Sequence, residues 1–371
     1  MAVDTPNVAA NGAPSATIPK VFPMAKGDEE ESYSKNSQFQ AFLNKVPMSA
    51  LDAELEKVAL PSGTGPVRVA DLGTSSGPNT IGTVSHIVEK LKYRVPKDAE
   101  FQAYFNDVPS NDFNNLFQLL CSDSRAKNFF AAGAPGSYLE RRFPQSSIHV
   151  FHSAVALHWM SKIPDEILDK ESPAYNNGQP WYQHSQSAVA KAYQEQTLLE
   201  LTSFFQARAA ELAPGGLMFL LFSGTETSYP YEIDHGDLVY NFQRDMIEIL
   251  TDLIAEGLVS EEQLDTFNIP VYHRTREDLT NALEACGSTL KVEVMKLHKV
   301  DFSEAFAGMD ACSISKKLKA MFKAAMSTLV EGHFGTSLAD VIWQRYYKLI
   351  QKKSGTRPEI LTVWIVGLIR N

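Results

Sequence analysis

The chain has 371 residues, 44% of them hydrophobic, with 44 acidic against 34 basic side chains and a formal net charge of −10. That length supports a large core and exceeds one compact domain, so one main domain with a substantial addition is expected. The charge repels a phosphate backbone and argues against nucleic acid as a partner; no uncharged apolar stretch of about 18 residues is present to span a membrane.

In chain order, the first stretch, "MAVDTPNVAANGAPSATIPKVF", is rich in Ala, Pro, Asn and Gly and lacks both an apolar signal core and arginine. It reads as a disordered tail over residues 1–25, with the main domain over 26–371. "VRVADLGTSSGPNT" followed by an amphipathic run reads as strand, tight loop and helix. Further apolar runs at "EFQAYFND", "SIHVFHSA", "GGLMFLLFSG" and the C-terminal "ILTVWIVGLIR" have the character of buried parallel strands. Helical periods between them predict a doubly wound α/β sheet. A long helix is expected over Ala192 to Gly216, closed by Pro-Gly-Gly. Tyr240 to Pro270 and Ser313 to Lys353 are helical with no intervening strand. Cap segments over residues 160–190, 230–271 and 301–353 are therefore expected beyond the carboxyl ends of the strands, where open α/β sheets bind ligands. Cys121, Cys286 and Cys312 show no paired spacing and read as small buried hydrophobes, which fits a cytoplasmic location.

The loop after the first strand is the chemical centre of this reading. Gly73 and Gly77 permit a tight turn and close approach of a ligand, while Asp71 at the strand end can receive a cation or a hydroxyl. The spacing is not the G-x-G-x-x-G of a pyrophosphate turn, and a carboxylate there suits a ligand with a positive end, which favours S-adenosylmethionine over NAD. Asp107, 34 positions beyond Gly73, ends the second strand where a ribose diol is commonly gripped. Asp112 competes for that role and also reads as a helix N-cap.

Six segments, "SYSKNSQFQ", "DLGTSSGPNT", "FNDVPSNDFN", "PGSYLERRFP", "HSAVALHWMSKIP" and "DTFNIP", stand here in the order found in the plant SABATH methyltransferases, and the chain resembles that family from Tyr33 onward. The resemblance implies a Rossmann-like S-adenosylmethionine-dependent methyltransferase fold with a helical cap, usually homodimeric, that esterifies small carboxylic acids. By motif it implies Tyr33, Ser37, Asp71 and Asn79 at the methionine end, Asp107 and Val108 at the ribose and adenine, and Ser137 and Tyr138 at the adenine edge. It also implies Gln40 and Trp159 as the pair gripping the substrate carboxylate. A side-chain amide and an indole N–H are neutral donors, suited to an anion that must stay reactive.

Val155 stands where salicylate-type members carry a Tyr, and with His158 and Phe322 it is expected to shape the substrate pocket. An aromatic acid of the benzoate, salicylate or cinnamate kind is preferred; a jasmonate- or farnesoate-like acid, or transfer to a thiol or ring nitrogen, is the alternative. A carboxylic acid of pKa about 4 is already ionised near neutrality, so His158 has no proton to move. "DTFNIP" carries two readings. Asp265, the Phe267 carbonyl and Asn268, joined by Asn176, offer oxygens of the kind Mg²⁺ accepts; the same residues also suit an Asp-initiated turn closed by Pro270.

Overall fold

The computed structural model describes residue 24 and residues 38–61, 65–226, 237–353 and 359–371. Its centre is a seven-stranded sheet of β1 (Val67–Leu72), β2 (Phe101–Asn106), β3 (Phe130–Gly133), β4 (Ile148–Ala154), β5 (Leu212–Ser223), β6 (Leu290–Asp301) and β7 (Ile360–Arg370). The spatial order is β3-β2-β1-β4-β5-β7-β6. β1 pairs in parallel with both β2 and β4, so the chain moves outward through β2 and β3 and then returns to the other side of β1. That reversal opens a crevice at the carboxyl ends of β1 and β4, the place where such sheets receive ligands.

Alternation along the strands explains the two covered faces. Val67 and Val69 of β1 and Leu217, Phe219 and Leu221 of β5 pack on one side with α3 (Pro78–Lys92) and α4 (Phe113–Ser122). Ala70, Leu72, Met218, Leu220 and Phe222 point to the other side, against α5 (Ser187–Glu211) and α8 (Arg276–Ala285). Two short helices, α1 (Gln38–Lys45) and α2 (Met48–Leu55), pack beside α3 through Leu43, Leu51 and Leu55. Asp112 caps α4 by accepting from the Asn115 amide at 3.0 Å, so the competing acid takes the N-cap role.

Cap helices α6 (Leu238–Ala255) and α7 (Glu261–Thr266) leave from the carboxyl end of β5. α9 (Ala311–Phe334) and α10 (Thr336–Lys353) leave from the corresponding end of β6 and lead back into β7. Gly335, at φ +79°, turns the chain between the last two helices.

Five expectations need correction, the first being burial of the cysteines: Cys121 is exposed, and Cys286 and Cys312 are only partly buried. The C-terminal strand is antiparallel to both neighbours, because a cap that starts and finishes at one end of the sheet returns the chain downward without a crossover. The long helix ends at Glu211, and Pro214 to Gly216 lie within β5 as an irregularity: Ile148 pairs with Leu212 but Val150 with Leu217. Gly215 there has φ +70°, and a Cβ on it would meet that of Ala59 at 2.4 Å. Residues 160–186 contain two single 3₁₀ turns, Asp165–Ile167 and Tyr182–His184, rather than α-helix, and they fold over a small cluster around Tyr182, Tyr193 and Tyr272. Strands β3 and β6 were not expected; both are edges, β3 only four residues long and largely exposed, β6 with charged residues interrupting its apolar ones.

A fully buried ion pair joins α5 to the loop after β3. Arg208 donates to Glu211 Oε2 at 2.7 Å and to the carbonyls of Tyr138 and Glu140 at 2.6 and 2.8 Å. The other oxygen of Glu211 accepts from the Phe143 amide at 2.8 Å. Glu211→Ala leaves a buried guanidinium unpaired and is expected to cost about 3–5 kcal/mol; urea unfolding of this variant against Glu211→Gln, which keeps an acceptor, measures it.

Candidate active site

The crevice is built from strand ends. Asp71 stands opposite His152 in the β1–β4 register, and its Oδ1 meets His152 Nδ1 at 2.6 Å while its Oδ2 accepts from the Thr80 hydroxyl. The carboxylate is thus fixed from β4 and from the first turn of α3. Gly73 follows at φ +76°, with space for a side chain closed off by Ala156. Ser75 then adopts φ +52°, which aims its amide at Asp107.

Asp107 accepts from the Ser75 amide at 2.6 Å and from its neighbour Val108 at 2.7 Å. Burial pushes its carboxyl up to about 6, against the pull of these two hydrogen bonds, and the charge of Asp71 adds to the rise. Asn106 ties the end of β2 to the carbonyls of Ala134 and Gly136, and the Gly136 amide donates to the Asp107 carbonyl at 2.8 Å. These bonds carry Ser137 and Tyr138 to the wall beside Asp107 and Val108. Tyr138 reaches the Ala156 carbonyl at 3.3 Å, and burial drives its hydroxyl above the usual tyrosine range.

Beside this cleft lies a second cavity, under the cap. Three side chains border both: Gln40 faces the cavity and the space near Asp71, Asn79 and His152, while Val155 and Trp159 face the cavity and the space near Asp107. Trp159 is held in a bridge to Val271, flanked by Met160 N to Pro270 O at 2.8 Å and Tyr272 N to His158 O at 3.0 Å. Val155 has φ +58°, a costly backbone for a β-branched residue, held by its amide's bond to the Leu221 carbonyl at 2.7 Å. Phe322 lines the cavity and stacks on Phe242 with centroids 3.9 Å apart.

Of the residues named from sequence, Asp71, Asn79, Asp107, Val108, Ser137, Tyr138, Gln40, Val155, His158, Trp159 and Phe322 all line this connected space. Tyr33 and Ser37 lie outside the described residues. His152 and Thr80 were missed, although the first could have been found by aligning Asp71 with the "HVFHSA" strand. Asn176, Asp265 and Asn268 also meet at one corner. There Asp265 accepts from the Tyr175 hydroxyl at 2.8 Å, and the Asn176 amide nitrogen donates to Asn268 Oδ1 and the Gln179 carbonyl. The Phe267 amide closes the turn onto the Leu264 carbonyl at 3.1 Å. Asn176, Asp265 and Asn268 thus converge through hydrogen bonds of the kind the turn reading requires, and their oxygens with the Phe267 carbonyl are the groups that would hold a Mg²⁺ ion.

The cleft residues do fit S-adenosylmethionine. Among the described residues the buried Ser75 hydroxyl and the buried Gln40 Oε1 have no partner, so the space holds polar groups that a ligand can satisfy. Two strand-end carboxylates beside a glycine turn, with no G-x-G-x-x-G, at the reversal of a sheet bearing an antiparallel β7, define an S-adenosylmethionine-dependent methyltransferase.

Comparison with known proteins narrows the class: the chain belongs to the SAM-dependent carboxyl methyltransferase family, the SABATH enzymes, whose model matches residues 19–371. It is 34% identical over 365 residues to gibberellic acid methyltransferase 2 of Arabidopsis thaliana, covering 94% of this chain and 93% of the relative. It is also 34% identical to loganic acid O-methyltransferase of Catharanthus roseus, covering 91% and 90%. A solved loganic acid methyltransferase with SAH superposes with a TM-score of 0.83 at 32% identity, covering 94% of this chain and 99% of that one. Among the described residues no helix is long and apolar enough to cross a membrane.

Since the Asp107 carboxyl lies above its ordinary 3.8, it takes up its proton as pH falls through about 6 and can then accept fewer hydroxyl donors. Affinity for S-adenosylhomocysteine is expected to be level at higher pH and to weaken below pH 6 by up to about tenfold per unit. Calorimetric titration across that range checks this, and Asp107→Asn should remove the slope.

Proposed function

We propose that this chain methylates the carboxyl group of a small ring-bearing acid, an aromatic one preferred, with Gln40 and Trp159 holding the carboxylate where the cavity meets the cofactor cleft. The observation that carries this reading is the position of those two side chains. Each borders both spaces, Gln40 toward Asp71 and Asn79 and Trp159 toward Asp107. The cavity has aromatic walls in Trp181, Phe242 and Phe322, and no Asp, Glu, Lys or Arg lines its described part. The names of the relatives agree in kind, giving gibberellic acid, indole-3-acetate and loganic acid.

When bound, S-adenosylmethionine supplies an electrophilic methyl group on a sulfonium. The protein's part is then positioning and desolvation. Asp71, set by His152 and Thr80, and Asn79 receive the methionine end; Asp107, Val108, Ser137 and Tyr138 receive the nucleoside. Gln40 and Trp159 donate to one carboxylate oxygen each or share one, leaving lone-pair density free for attack. Burial, with the charges of His273 and Arg274 adding to it, depresses His158 to about 3, so its imidazole is neutral and serves as a polar wall. No base is needed, and the loss of two opposite charges on reaction is favoured where Phe and Trp exclude water.

Methyl transfer from labelled S-adenosylmethionine to benzoic, salicylic, cinnamic, indole-3-acetic, gibberellic and jasmonic acids, beside thiol and xanthine acceptors, tests the reaction. Methyl esters are expected, and transfer confined to sulfur or nitrogen would overturn the carboxylate assignment. Gln40→Ala and Trp159→Ala should each lower kcat/KM by about 10- to 100-fold, the worth of a hydrogen bond to a charged group. Binding of S-adenosylhomocysteine, followed by calorimetry in the same variants, should change little.

A further inference from the structure

The cavity under the cap carries polar groups that the carboxylate reading leaves unused. Gln243, on α6, is fully buried and lines the cavity. Its Oε1 faces His184 Nε2 at 3.1 Å, while its Nε2 has no partner among the described residues. Burial lowers the His184 pKa from its ordinary value, and its ring stacks on Tyr240 with centroids 4.8 Å apart. With the His184 proton on Nε2, that nitrogen donates to Gln243 Oε1 and the NH₂ group is the end left over.

His273 is set by the same short turn. Gln183 Nε2 stands 3.4 Å from His273 Nδ1, and the His273 amide donates to the Tyr182 hydroxyl at 2.9 Å. Burial and the neighbouring Arg274 hold this ring down at about 4, so it too is neutral. With Gln183 Nε2 as the donor, Nδ1 is the acceptor and the ring proton resides on Nε2. Three successive residues, Tyr182, Gln183 and His184, thus orient two donors. Ser223, at the end of β5, adds a hydroxyl to the same wall.

None of Gln243, His273 and Ser223 borders the cofactor cleft, whereas Gln40, Val155 and Trp159 do. The polar wall is therefore separate from the carboxylate clamp. In a cavity otherwise lined by Phe, Trp, Leu and Met, an amide N–H without an acceptor is a defect unless the ligand supplies one.

We propose that the acid methylated by this chain carries a second oxygen function, a hydroxyl or carbonyl on its ring skeleton away from the carboxylate, which accepts from the Gln243 amide and the His273 imidazole. This rests on the carboxyl methylation reading above and adds a specificity element to it. Gln183 and His184 are positioning residues for the two donors.

The test uses matched acids that differ by one oxygen: phenylacetic and 4-hydroxyphenylacetic, cinnamic and 4-hydroxycinnamic, indole-3-acetic and 5-hydroxyindole-3-acetic. The full-length enzyme should favour the oxygenated member of at least one pair by about 100-fold or more in kcat/KM, because rejecting the analogue leaves buried donors unpaired. Gln243→Leu should cut that ratio about tenfold or more. A loss of stability alone would lower both members together and leave the ratio intact. Gln40→Ala should depress both members alike, so if it leaves them unchanged, the carboxylate clamp fails. If the ratio stays the same in Gln243→Leu, or if no pair shows a preference either in turnover or in binding beside S-adenosylhomocysteine, the second oxygen is overturned.

Discussion

Everything in the site depends on β1 lying between β2 and β4. Because both pairings are parallel, the carboxyl ends of three strands meet at one level, and Asp71, Asp107 and His152 arrive together there. The Asp71–His152 contact at 2.6 Å follows from strand register, since the two residues are partners in the ladder. A slip of one residue would turn both side chains to the other face of the sheet. The register in turn depends on the filled faces on either side, Val67 and Val69 toward α3, Ala70 and Leu72 toward α5.

Around that fixed edge the polar groups share one property: the cavity has donors and no charge. Gln40, Trp159, Gln243, His158 and His273 can all hold an anion or an oxygen without forming an ion pair, because burial keeps both imidazoles neutral. A lysine or arginine in place of any of these would bind a carboxylate more strongly before reaction than during it. Binding of that kind lowers KM without helping the chemical step.

Much of this was legible in the chain. Asp71 and Asp107 could be placed because an acid at the end of an apolar run, followed by glycine or a turn, has few other uses in an α/β sheet. Cap helices α6, α9 and α10 could be placed because their period persists over many turns. What was not legible depends on pairing across distance. His152 looks like an ordinary residue of "HVFHSA" until the ladder sets it beside Asp71. β6 alternates Lys and Glu with apolar residues, as an edge strand does, and so lacks the continuous run by which buried strands are found. Pro214 to Gly216 mimic a helix stop, yet belong to a strand that bends past Ala59. Gln243 sits in a helical stretch where nothing marks a polar residue as buried.

The cap enters and leaves the sheet at one end, between β5 and β6 and again between β6 and β7. Its helices can therefore change side chains, and even length, without altering a single ladder bond of β1, β2 or β4. Methyl-donor chemistry and acceptor choice are carried by separately mutable parts of the chain. The α6 side chains Phe242 and Gln243 and the α9 side chains Met321 and Phe322 that line the cavity can thus be exchanged over a fixed strand edge.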